Sequence, residues 1–149
     1  TYINKNDDEK NYGLELEYSK LFENRSKLFL NSSYNIFEYK NSYYNLDINT
    51  PVVSKLTTTL GFIYPLSSKF TISPLLRYYG DKNLLNGTEI GDVLLTDLTL
   101  SYRFSKDSKL SFGAKNLFDQ NYYYYGNKTK DEKMLREGRT WFTSFSYDF

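Results

Sequence analysis

Seven stretches of this chain alternate bulky apolar residues with small or polar ones, and that period of two belongs to the β-strand, whose successive side chains point to opposite faces. The last stretch shows it most clearly: Trp141, Thr143, Phe145, Tyr147 and Phe149 share one face, with Thr140, Phe142, Ser144, Ser146 and Asp148 on the other. Near the start, Tyr12, Leu14, Leu16 and Tyr18 stand against Gly13, Glu15, Glu17 and Ser19. The pattern returns over Leu28–Ile36, Leu56–Tyr64, Phe70–Tyr78, Leu94–Phe104 and Leu110–Ala114. A soluble sheet also buries one apolar face, so a single strand does not identify the solvent. Its repetition along the chain carries that information.

Each stretch is about 8–12 residues long, the length a tilted strand needs to cross a bilayer. The links between them alternate in length. Short ones fall near 20–26, 65–68 and 105–108, and long polar ones near 1–10, 38–55, 80–91 and 116–138. In an up-and-down meander this order gathers all short turns at one rim and all long loops at the other, the asymmetry of outer-membrane barrels. Pro74 interrupts the fourth stretch and cannot donate to a ladder, which predicts a bulge or a locally broken pairing there.

The two faces fit the same solvent. Aromatics collect at strand ends (Tyr12, Tyr18, Tyr64, Tyr78, Tyr102, Phe104, Tyr147, Phe149) and aliphatics at strand middles, as expected of a lipid-facing band between aromatic girdles. The opposite face carries Glu15, Glu17, Asn31, Arg77, Asp97, Arg103 and Lys115. Such a density of charge is costly in a buried core and suits a wet lumen or a polar plug. Aromatics make up 19% of the chain, with 16 Tyr and 11 Phe, which agrees with girdles. The mean hydropathy of −0.62 does not argue against a membrane, because an alternating strand hides its apolar face from averages. The expected fold is all-β: an antiparallel up-and-down transmembrane β-barrel. A soluble β-sandwich is the weaker alternative.

Composition removes several functions. A net charge of +1 with scattered Lys and Arg gives no stripe for nucleic acid. The sequence has no Cys and no His, so thiolate and imidazole metal sites and the usual general base are missing. Glu15 and Glu17 share a strand face without a third partner, which is too little for a metal or acid–base centre. No catalytic residue, metal or cofactor is expected, and the chain is read as a non-enzyme. It starts at Thr1 without a leader, which points to a mature form or a fragment. Seven strands point to a fragment as well, because single-chain bacterial barrels have even strand numbers from about eight upward. Thr1-Tyr2-Ile3 would then end an earlier strand.

One segment is more specific. Leu110-Ser111-Phe112-Gly113-Ala114-Lys115, then Asn116-Leu117-Phe118-Asp119-Gln120-Asn121-Tyr122, then Gly138-Arg139-Thr140-Trp141-Phe142 resembles the end of a TonB-dependent outer-membrane receptor. Tyr12-Gly13-Leu14-Glu15-Leu16 and Asn49-Thr50-Pro51 with Ser54-Lys55-Leu56 resemble earlier elements of the same barrel. The resemblance implies that residues 1–149 are the C-terminal part of a barrel of about 22 strands, in the outer membrane of a Gram-negative bacterium, with the plug and the TonB-binding segment further upstream. It implies uptake of a scarce nutrient. A ferric siderophore comes first, and haem and cobalamin rank below it, haem because its receptors often use His ligands. It also implies that Trp141, Phe145, Tyr147 and Phe149 form the signal read by the barrel-assembly machinery.

On that resemblance Tyr122–Tyr125 lies in the last extracellular loop. Tyr123 and Tyr125, with Lys128, Arg136 and Arg77, are the candidate ligand contacts, supplying aromatic surface and positive charge for an anionic iron chelate. The plainer reading, which the sequence favours, makes alternate tyrosines a girdle and the lysines a solvated loop. Arg77, Asp97, Arg103 and Lys115 are expected to form cross-strand ion pairs in the wall. A different class of function, an adhesin or structural anchor built on a small complete barrel of about eight strands, remains open at this point.

Overall fold

The structure is a computed structural model that describes residues 8–41, 46–48, 54–83, 89–127 and 132–148. Twelve strands occur among them: β1 (Asp8–Leu21), β2 (Lys27–Asn41), β3 (Leu46–Ile48), β4 (Leu56–Pro65), β5 (Phe70–Tyr79), β6 (Lys82–Asn83), β7 (Glu89–Ile90), β8 (Val93–Arg103), β9 (Ser108–Lys115), β10 (Tyr123–Asn127), β11 (Glu132–Leu135) and β12 (Thr140–Tyr147). The seven long strands form one antiparallel sheet in the order β1-β2-β4-β5-β8-β9-β12, with β3 added beside β2. Sequence neighbours are therefore spatial neighbours throughout. Among the described residues the sheet does not close, and β1 and β12 are its edges. This is the expected meander as a partial barrel wall.

Alternation becomes two surfaces once the register is set. Leu14 faces Tyr34, Leu30 faces Leu60, Leu60 faces Leu76, and Leu100 faces Phe112, which builds a continuous apolar band. Much of it is exposed, with Leu14 at 74% and Phe145 at 64%. At the short-turn rim Phe70 and Tyr102 lie 4.7 Å apart, and Tyr102 meets Phe104 edge-on at 4.7 Å. Near the opposite rim Trp141 stacks on Phe112 at 5.6 Å. On the polar face two phenylalanines lie across glycines of the adjacent strand: Phe29 over Gly61 and Phe142 over Gly113. A Cβ at either glycine would run into the ring, so these positions admit no larger residue unless the ring moves.

The Pro74 expectation holds in a specific form. Between β4 and β5 the pairs Gly61–Leu75 and Tyr64–Ile72 keep one register, and no pairing joins them. The ladder is thus interrupted without a bulge, while Pro74 still pairs with Leu98 on its other side.

The long connections depart from the sequence reading. The segment 38–55, expected as a loop, begins with three more residues of β2 paired to β1, and it contains β3. The segment 80–91 contains the β6–β7 hairpin, and 117–138 contains the β10–β11 hairpin. The first strand starts at Asp8 rather than near Tyr12. The start of β1 is polar on both sides, and β3, β6, β7, β10 and β11 are only two to five residues long, so the repeated two-residue contrast that reveals a half-buried strand is missing from them. Thr1–Ile3 and Asn49–Pro51 lie outside the described residues.

The short turns are built by local side chains. In the first, Arg25 N–H donates to Phe22 O, Phe22 N–H donates to Ser26 O, and Asn24 Oδ1 accepts from Ser26 N–H. Arg25 pays for this tight reversal with a left-handed backbone at φ 66°.

Candidate functional site

Two structures on the long-loop side carry the site. The first is a turn that fixes the wall. Asn116 and Asp119 both adopt left-handed backbone, φ 49° and 55°, a conformation Asn and Asp tolerate better than other chiral residues. Asn116 Nδ2 donates to Gln120 O at 2.9 Å while Asn116 Oδ1 accepts from Gln120 N–H at 2.9 Å. One amide therefore closes the turn from both ends. Asn116 N–H donates to Asp97 Oδ1 at 2.9 Å, and Leu117 N–H donates to Thr96 O at 2.7 Å, which fastens the turn to β8.

The far end of the connection returns to the same turn. Asp119 Oδ1 accepts from Arg139 N–H at 2.7 Å, and a Cβ on Gly138 would sit 2.5 Å from that oxygen. Glycine is what lets the backbone approach the carboxylate there. The Asn-Leu-Phe-Asp and Gly-Arg elements, 20 residues apart, are thus two halves of one structural joint.

The second structure is a cavity of about 260 Å³ on the polar side of the wall. Arg77 and Tyr79 come from β5, Lys82 from β6, and Tyr122, Tyr123 and Tyr124 with Arg136 from around the β10–β11 hairpin. Gly80, Gly91, Val93 and the buried Ser54 complete the lining. Arg77 Nη2 lies 2.8 Å from Asp97 Oδ2 and donates to Oδ1 at 2.9 Å. Its Nε is buried and has no hydrogen-bond partner. The Arg136 guanidinium lies 4.0 Å from the Tyr124 ring centre, and Lys133 Nζ 5.0 Å from that of Tyr123. Burial, and then the positive charge of Arg136, hold the Lys82 ammonium below the ordinary lysine pKa.

Of the residues singled out from sequence, Arg77, Tyr123 and Arg136 meet in this cavity. Tyr125 lies in β10, paired with Lys133, and Lys128 lies outside the described residues. Sequence reading missed Lys82 and Tyr79. Tyr79 had a face but no neighbour, and Lys82 sat in what read as loop. The expected wall ion pairs reduce to Arg77–Asp97 among the described residues; Arg103 and Lys115 are exposed. Glu15 and Glu17 face Ser33 and Asn31 across the ladder. Trp141, Phe145 and Tyr147 lie exposed along one face of β12, and Phe149 is outside the described residues.

The fold has known counterparts. It is similar to the ferric-catecholate import receptor Fiu of E. coli K12, with a TM-score of 0.76 and 18% identity over 94% of this chain and 21% of that one. It is also similar to the ferripyoverdine receptor of the Pseudomonas aeruginosa outer membrane bound to ferripyoverdine (0.70, 20% identity, 95% and 20%), and to the copper transporter OprC (0.69, 20% identity, 95% and 24%). The chain thus spans about a fifth of the length of these structures. No curated protein matches its sequence. Residues 1–117 match the family model described as TonB dependent receptor-like, beta-barrel. These relatives are transport receptors, not enzymes. By that match over most of its length, the chain belongs to the TonB-dependent receptor β-barrel family.

Proposed function

We propose that this chain is the C-terminal barrel wall of a receptor that imports a ferric siderophore across a Gram-negative outer membrane, with energy relayed from TonB through an upstream plug. The observation that carries the reading is the cavity in which Arg77, Lys82 and Arg136 meet three consecutive tyrosines, on the side of the wall where the long connections lie. Arg77, Tyr123 and Arg136, with Tyr125 and Lys128, are the proposed ligand contacts. Receptors of this fold include ones whose names state ferric catecholate and ferripyoverdine. A self-contained adhesin or anchor barrel is disfavoured by a sheet whose edge strands β1 and β12 do not pair.

Trp141, Phe145, Tyr147 and Phe149 are proposed as the segment recognised by the barrel-assembly machinery, because Trp141, Phe145 and Tyr147 expose their rings on one face of β12 and Phe149 continues the alternation in the sequence. Radioiron uptake by a strain carrying or lacking the full-length receptor tests the import function. Uptake of a ferric siderophore that depends on both the receptor and TonB is the expected result. Equal uptake by the two strains across a panel of ferric siderophores would overturn it.

A further inference from the structure

The lining of the cavity is unbalanced in charge. Arg77, Lys82 and Arg136 contribute three cations, and no carboxylate is among the described residues that line it. Arg77 is already paired with Asp97. Lys82 and Arg136 make no ion pair among the described residues, and Arg136 is close enough for its charge to act on the Lys82 ammonium. Two like charges held together in a half-enclosed space repel, and an arriving anion turns that repulsion into attraction.

The neutral part of the lining restricts the guest further. Tyr79, Tyr122, Tyr123 and Tyr124 present ring surface and hydroxyl donors. The Arg136 guanidinium lies over the Tyr124 ring, a contact that restrains its donors before any ligand arrives. At about 260 Å³ the space falls below the ~300–1,000 Å³ of pockets that take a whole drug-sized ligand. It fits one flat arm of a larger chelate.

We propose that this cavity is an anion-recognition site that selects a multiply charged chelate with aromatic donor arms, a ferric tris-catecholate type, over neutral chelates, and that Lys82 and Arg136 set the preference. This rests on the import reading above and narrows its cargo. Arg77 is the floor cation, and Asp97 is a positioning residue that orients it.

The test is equilibrium binding to the full-length receptor in detergent, with three probes: the trianionic iron(III) complex of three catechols, anionic ferric citrate, and a neutral iron(III) tris-hydroxamate. The catecholate should bind tightest and the hydroxamate weakest. Lys82→Gln and Arg136→Gln should each weaken catecholate binding about tenfold and hydroxamate binding by much less, while Lys82→Arg and Arg136→Lys retain most of the catecholate affinity. Hydroxamate binding as tight as catecholate, or catecholate binding indifferent to both Gln variants, overturns the proposal and leaves import intact. Charge-selective binding without TonB-dependent uptake overturns the import reading and leaves the anion site. Should the Gln variants fail to fold, the three probes on the unaltered receptor still decide.

Discussion

Arg77 and Asp97 meet diagonally across the β5–β8 ladder: Arg77 is in register with Leu95 and Asp97 with Leu75, yet Nη2 and Oδ2 are 2.8 Å apart. The carboxylate's other oxygen, Oδ1, accepts from Asn116 N–H. One half-buried carboxylate therefore holds both the floor of the cavity and the turn that follows β9. Asp97→Asn should lower stability by about 1–3 kcal/mol, because it removes the charge from two contacts at once. It should also weaken binding of an anionic chelate through the loosened Arg77. Denaturant unfolding of the refolded receptor and titration of the same preparation check the two effects separately.

The turn itself makes a distinct demand. Asn116→Ala removes both amide contacts to Gln120 and places alanine at a left-handed position, for an expected loss of about 2–4 kcal/mol. Asn116→Gly keeps the backbone conformation and should lose less. If both variants unfold at the same denaturant concentration as the unaltered receptor, the turn does not hold the wall.

Gly61 lies beneath the Phe29 ring in the neighbouring strand. Gly61→Ala should destabilise by about 1–3 kcal/mol through overpacking. In a Phe29→Ala background the same substitution should be nearly neutral, since the obstructing ring is gone. A double-mutant cycle on unfolding free energy reads the coupling, and additive losses would show that the ring is not what excludes the methyl group.

Lys82 gives the cavity a pH signature. Burial and Arg136 keep its free-state pKa below 10.5, and a bound anion favours the charged form and so raises it. Anion affinity should hold through neutral pH and fall as pH climbs past the lowered free-state value, because the bound state then needs a proton that the free state has lost. Lys82→Arg should abolish that loss, because a guanidinium keeps its proton throughout this range. Binding isotherms of the catecholate complex across alkaline pH measure it.

Much of the wall was legible from sequence, and the reason is physical. Seven strands with one apolar face announce themselves by period two, and Pro74 marked the place where the β4–β5 ladder breaks. Alternation assigns a face but not a neighbour. Asp97 shared a face with Arg103 on its own strand, yet six residues of strand separate them by about 20 Å. Its partner came from β5, which only the register reveals. The hairpins escaped because β6, β7, β10 and β11 are only two to five residues long, too short for an alternation to repeat. The Asn-Leu-Phe-Asp and Gly-Arg elements were legible as a resemblance, but their joint was not, since nothing in sequence joins residues 119 and 139.

That joint bears on how much the connection between β9 and β12 can vary. Asp119 and Arg139 clasp the two ends of the excursion that carries Tyr122–Tyr124 and Arg136, so the start of β12 is fixed independently of what lies between. The excursion is therefore expected to act as an exchangeable cassette. Residues inserted, removed or grafted between 121 and 137 should leave Thr140 opposite Lys115 and the stagger of the wall unchanged.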